Sequence, residues 1–159
     1  RMAALSAMVN SDHPTKNEAL DRFYQTWKEE DLVVCKWFTL QATCRRPGGL
    51  SAVKALMEHP AFDLRTPNHV RSLIGAFTQS NPSNFHTEEG DGYRFLADQV
   101  IALNSINPQI ASRMLTALTA WRRFDTSRQM QMRGALERVA HTPHLSSDVY
   151  EVASKALAK

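Results

Sequence analysis

"TPNHVRSLIGAF", residues 66–77, is the stretch that decides how this chain is read. Val70, Leu73, Ile74 and Phe77 fall at i, i+3, i+4 and i+7, the spacing of one face of an α-helix. Thr66 is a residue type that caps helix N-termini. Pro67 suits the first helical position, because its missing N–H would be unbonded there in any case. This signature recurs along the whole chain, and the period-two alternation of strands is absent.

Working outward, "TKNEALDRFYQTW" places Glu18 three residues after Thr15, the pattern of a capping box. "DLVVCKWFTLQATC" sets Val33, Trp37, Leu40 and Cys44 on one stripe. "RRPGG" stops that helix, because Pro47 cannot continue it and Gly48–Gly49 are flexible. "LSAVKALMEH" is a short helix ending before Pro60. Asn81–Pro82 opens a single turn in "NPSNFH". "YRFLADQVIALNS" then buries Leu96, Val100 and Leu103. Asn107–Pro108 opens a helix carrying Ile110, Met114, Leu118 and Trp121. A further helix starts at Asp125 and is broken by "HTPH". The last, "SSDVYEVASKALAK", carries Asp148 and Glu151 as a second capping pair.

About nine helices follow, joined by connections of mostly two to eight residues, which favour antiparallel neighbours. Hairpins too small to hold a core alone read as an all-α, α-solenoid of HEAT or armadillo type. A compact helical bundle is the other architecture this pattern allows. The chain, residues 1–159, reads as a single helical-repeat domain. It opens on Arg1 within an apparent helix, which suggests a domain cut from a longer protein.

Composition narrows the function classes. At 43% hydrophobic and 22% charged residues, the chain can bury a core and is not disordered. No apolar run reaches the ~18 residues that cross a bilayer, and "RMAALSAMVN" lacks the features of a signal peptide. The net charge is only +3, with Lys and Arg scattered apart from the doublets Arg45–Arg46 and Arg122–Arg123. The electrostatic footprint of a nucleic-acid binder is therefore missing. Cys35 and Cys44, if both helical, stand ~13 Å apart on opposite faces, too far for a disulfide. Free thiols point to the cytoplasm.

Four groups could carry chemistry. His86, Glu88, Glu89 and Asp91 crowd into one loop, but Gly90 and Gly92 mark it as a solvated turn. His141 and His144 are separated by a helix-ending Pro143 and have no third ligand nearby. Neither cysteine sits in a nucleophile turn, and no Gly-x-Ser-x-Gly elbow or phosphate loop occurs. That leaves Arg71 and Arg113. Arg71 stands about 110° and Arg113 about 95° from the centre of its apolar stripe, at ~100° per residue. From geometry alone such shoulder positions suit first a solvated arginine lying over apolar neighbours, and in a solenoid also a side chain lining the binding face.

"KWFTLQAT", "VRSLIGAF", "NPSNFH", "GDGYRFLADQV", "LNSINPQIASRM" and "MRGALERV" taken together resemble the C-terminal helical domain of bacterial aminopeptidase N, a zinc-dependent alanyl aminopeptidase of the gluzincin group. The resemblance covers essentially the whole chain. It implies a noncatalytic cap packed over a separate catalytic domain in a larger multidomain enzyme. The family's His-Glu-x-x-His zinc motif and its Gly-Ala-Met-Glu-Asn type exopeptidase motif do not occur here. The resemblance thus assigns no metal ligand and no catalytic residue to this chain, and places zinc in the parent enzyme. It also implies that Arg71 and Arg113 project from the cap toward the catalytic cavity and bind peptide substrate. The expected partners are the parent's other domains and the peptide, with no nucleic acid and no membrane. A freestanding helical-repeat scaffold for protein–protein interaction is the alternative, and an independent enzyme comes third.

Overall fold

The computed structural model describes residues 1–158, and all regular structure among them is helical. The elements are α1 (Met2–Val9), α2 (Lys16–Trp27), α3 (Asp31–Ala42) and α4 (Gly49–Met57), then α5 (Pro67–Val70), a π-helical segment (Arg71–Gly75) and α6 (Ala76–Ser80). They continue with α7 (Pro82–Phe85), α8 (Asp91–Asn104), α9 (Pro108–Leu115), 3-10 turns at Thr116–Leu118 and Trp121–Arg123, α10 (Thr126–Ala140) and α11 (Ser147–Ala158). Residues 67–80 form one rod, so ten helices stand among the described residues against about nine expected. Two compact units divide the chain, Arg1–Asn84 and a second from Phe85 onward.

In the first unit α3 is central. α1, α2, α4 and the 67–80 rod all pack on it, so more of its circumference is buried than a single stripe. Val34, Phe38 and Ala42 join Trp37 and Leu40 in the core, whereas Val33 and Cys44 are only half-buried. α3 ends at Ala42, so Cys44 lies beyond the helix, its thiol 3.3 Å from the Val9 carbonyl. Both cysteines are free thiols. The Trp37 indole N–H donates to the Leu20 carbonyl at 3.0 Å and pins α2 to α3.

The carbonyls past the end of α3 need donors, because no further turn supplies them. The short α7 turn delivers them. Asn81 is fully buried, and its amide donates to the Ala42 and Cys44 carbonyls at 2.9 and 2.8 Å. The Asn84 amide donates to the Cys44 and Arg46 carbonyls. Its Oδ1 accepts the Gly49 N–H at 3.1 Å, holding the first turn of α4. Gly48 has φ +88°, the left-handed conformation that lets the chain enter α4. A Cβ on Gly49 would stand 2.6 Å from Asn84 Cγ.

The 67–80 rod keeps Val70, Leu73, Ile74 and Phe77 at 1% exposure or less, as the sequence spacing requires. Its π-helical segment is not legible in that spacing. The Thr39 hydroxyl of α3 donates to the Ser72 carbonyl at 2.9 Å. An outside donor on a carbonyl of the i→i−4 ladder is a recognised cause of such local widening.

In the second unit α8 packs against α9 and α10, and α11 against α9 and α10. Asn107 and Asp125 cap α9 and α10, accepting the Ile110 and Arg128 N–H groups. Two expected capping boxes are not formed. The Thr15 hydroxyl is taken by His13 Nδ1 at 2.9 Å. At α11 the hydroxyl of Ser146, not Asp148, accepts from the Val149 N–H, while Glu151 pairs with Lys155. α9 is also shorter than expected. The Thr116 and Thr119 hydroxyls bond back to the carbonyls three residues earlier, which favours tighter turns. Ile110, Met114, Leu118 and Trp121 are buried nonetheless.

The loop between α7 and α8 is anchored through His86. Its Nδ1 lies 2.8 Å from the Tyr93 hydroxyl, its ring stacks on Phe124 at 4.5 Å, and its carbonyl accepts from Arg128 Nε. Burial, and then the Arg128 guanidinium, lower the His86 pKa below its usual value. Burial raises that of Tyr93.

Three outcomes are expected. Asn84→Ala strands a buried N–H and weakens the hold on two carbonyls, so urea unfolding should register a loss of ~2–3 kcal/mol; a loss below about 0.5 kcal/mol would remove the role assigned to Asn84. Thr39→Val keeps the shape but deletes the donor to Ser72 and should cost ~1 kcal/mol in the same assay. For His86 the depressed folded-state pKa means the unfolded chain takes up the proton first as pH falls. Its contribution is fully present above pH ~6.5 and is lost on acidification through the folded value. Between pH 7.5 and 5 the melting temperature of the natural chain should therefore fall more steeply than that of His86→Phe; parallel curves would contradict this.

Candidate functional site

Arg71 opens the π-helical segment and is exposed. Its guanidinium is steadied by Asn68, whose Oδ1 accepts from Nη2 at 2.7 Å. Asn68 is neutral, so the positive charge stays uncompensated. Arg113, in the last turn of α9, is likewise exposed. Among the described residues no carboxylate forms an ion pair with either arginine, whereas Arg46, Arg94, Arg128, Arg133 and Arg138 each have one. Both side chains stand exposed on helical backbone. Their neighbours Val70, Leu73, Ile110 and Met114 are buried, which fixes the backbone each one stands on. Each can offer a planar fork of donors to a carboxylate or to peptide carbonyls.

The other sequence candidates do not converge. His86 is consumed by Tyr93 and Phe124. Glu88 and Glu89 are exposed, and Asp91 pairs with Arg94 on the same helical turn. His141 and His144 are both exposed, and His144 has φ +59°, a left-handed conformation at the end of the α10 connection.

One grouping escaped the sequence reading. Asp31, Cys35 and His69 bring ligand-type atoms within 4.8 Å of one another. Asp31 and Cys35 stand one turn apart on α3, a spacing visible in sequence, but only tertiary packing brings in His69. The hydrogen bonds decide its chemistry. The Asp63 N–H donates to His69 Nδ1 at 3.1 Å, so that nitrogen is unprotonated. The ring proton is then on Nε2, aimed at Asp31 Oδ1 at 2.7 Å. A ligating histidine needs the reverse, with its free nitrogen facing the metal and its N–H facing a second partner. Zinc, the metal implied by the family resemblance, does not fit this trio. His69 instead ties the start of the 67–80 rod to α3.

Comparison with known proteins agrees with the resemblance read from the sequence. Residues 1–158 match the model of a family described as a domain of unknown function, DUF3458_C, made of ARM repeats. The chain is 45% identical over 157 residues to aminopeptidase N of Escherichia coli and 42% identical over 156 residues to that of Haemophilus influenzae. The alignments take in 99% and 98% of this chain. The chain spans 18% of the length of each of these relatives. A crystal structure of Legionella pneumophila aminopeptidase A in complex with aspartic acid superposes with a TM-score of 0.93 at 36% identity, over 99% of this chain and 18% of that one. The chain is an all-helical domain similar to part of the bacterial aminopeptidases, and it belongs to the DUF3458_C family of ARM-repeat domains.

Proposed function

We propose that this chain is the noncatalytic C-terminal cap of a zinc-dependent aminopeptidase that removes N-terminal residues from peptides. In this reading the residues 1–159 form one domain of a larger multidomain enzyme. The cap encloses the active-site chamber and controls which peptides enter and how they are held. Arg71 and Arg113 contact the peptide beyond the scissile bond, or its terminal carboxylate. Zinc and the hydrolytic groups belong to the catalytic domain, which is the cap's partner along with the peptide. The free thiols Cys35 and Cys44 suit a cytoplasmic enzyme.

The observation that carries the proposal is the state of the two guanidiniums. Both are exposed, both stand on buried helical backbone, and neither is neutralised by a carboxylate of the described residues. A permanent charge left uncompensated on a rigid element is suited to an anionic or carbonyl-rich ligand. The names of the relatives supply the ligand class, since aminopeptidases act on chain ends.

The test is kinetic and uses the full-length enzyme. Arg71→Ala and Arg113→Ala should each lower kcat/KM for tri- and tetrapeptides by about 10–100-fold, the worth of one charge-assisted contact. Aminoacyl anilides, which end at the scissile bond, should be cleaved at the natural rate. Unchanged peptide kinetics in both variants would defeat the assignment.

A further inference from the structure

Among the described residues three arginines bond a short side chain three positions earlier: Arg94 reaches Asp91, Arg128 reaches Asp125 and Arg71 reaches Asn68. Side chains at that spacing lie one above the other on a helix. In the first two cases the partner is a carboxylate, and the guanidinium is spent on an ion pair. In the third it is an amide of nearly the same shape. Asn68 Oδ1 takes one N–H of Arg71 at 2.7 Å without cancelling the charge, and the rest of the planar fork stays open. Asn68 is itself held. The Ser72 hydroxyl donates to the Asn68 carbonyl at 2.6 Å, and the Ser72 carbonyl accepts from Thr39 of α3 at 2.9 Å. A line of hydrogen bonds therefore runs from α3 to the residue that steadies the guanidinium.

An unheld arginine samples many rotamers, and fixing it on binding costs affinity. An acceptor on its own helix reduces that cost, but a carboxylate there would compete with any anionic ligand. A neutral acceptor does the first without the second. A peptide carbonyl does not need a charge kept free, whereas a carboxylate gains most from one. We infer that Asn68 is a positioning residue that holds Arg71 for the terminal carboxylate of a peptide. Its neutrality favours peptides with a free C-terminus over the same peptides ending in an amide. The inference rests on the proposal that Arg71 contacts the peptide, and it narrows that contact to one chemical group.

The test measures kcat/KM of the full-length enzyme for trialanine and for trialanine amide. Both lose the same N-terminal residue, so the ratio of the two isolates the carboxylate. Asn68 is exposed in the first turn of the 67–80 rod. An added negative charge is favoured there by the helix dipole, so Asn68→Asp should fold normally. It should lower the acid-to-amide ratio about ten-fold, through the charge it cancels and the repulsion it adds. Asn68→Ala keeps the charge and loses the hold, so KM for trialanine should rise about three-fold with kcat little changed. A ratio within about two-fold of the natural value in Asn68→Asp would overturn the inference. So would an equal loss on acid and amide, the mark of a merely structural effect, or an unchanged KM in Asn68→Ala. If Arg71→Ala lowers the ratio and Asn68→Asp does not, the inference alone fails. If Arg71→Ala leaves peptide kinetics unchanged, the substrate contact proposed for Arg71 fails and the inference with it.

Discussion

The first unit depends on satisfying the carbonyls that α3 leaves behind at its C-terminus. A helix end buried without donors would cost a kcal/mol or more for each stranded group, ~1–3 kcal/mol by ordinary measure. Two side-chain amides meet the need. Asn81 and Asn84 reach the Ala42, Cys44 and Arg46 carbonyls, and Asn84 also takes the first amide of α4. The two ends of the α3–α4 connection are thereby fastened to a turn almost forty residues later in the chain. Gly49 is required because this fastening is tight, with no room for a Cβ beside Asn84. The second unit handles a helix end by a related device, in which the Trp121 and Arg122 side chains donate to the Ala156 carbonyl of α11.

This arrangement bears on function through rigidity. Arg71 gains a fixed base because its rod is held from three directions. His69 ties the rod to Asp31, Thr39 takes the Ser72 carbonyl, and the buried stripe from Val70 to Phe77 packs into the core. A long cationic side chain on such a base keeps its reach while its anchor stays in place. Polar groups that look reactive in isolation are occupied by this same work. His69, Asn81 and Asn84 have their hydrogen-bonding atoms engaged with protein partners, and His86 Nδ1 lies on the Tyr93 hydroxyl.

Much of the architecture was legible from residue spacing. The stripes at residues 70–77, 96–103 and 110–121 are buried as their periods require. Asn107, Asp125 and Pro67 begin helices for the reasons their chemistry suggests. Local competition accounts for what was misread. Thr15 lost its capping role to His13, Ser146 displaced Asp148, and threonine back-bonding shortened α9. The shoulder positions of Arg71 and Arg113 followed from helical angle alone, but their freedom from ion pairs did not, because any carboxylate in the chain could have reached them.

The sequence by itself determined the all-helical class, the order of the helices and the faces they bury, because hydrophobic period, capping types and Pro–Gly breaks are local properties. Only the tertiary structure decided which polar residues spend themselves on distant carbonyls, where the 67–80 rod widens, and that His69 carries its proton toward Asp31. Each of these depends on contacts between separate elements, where no period in the sequence records which partner the fold will bring.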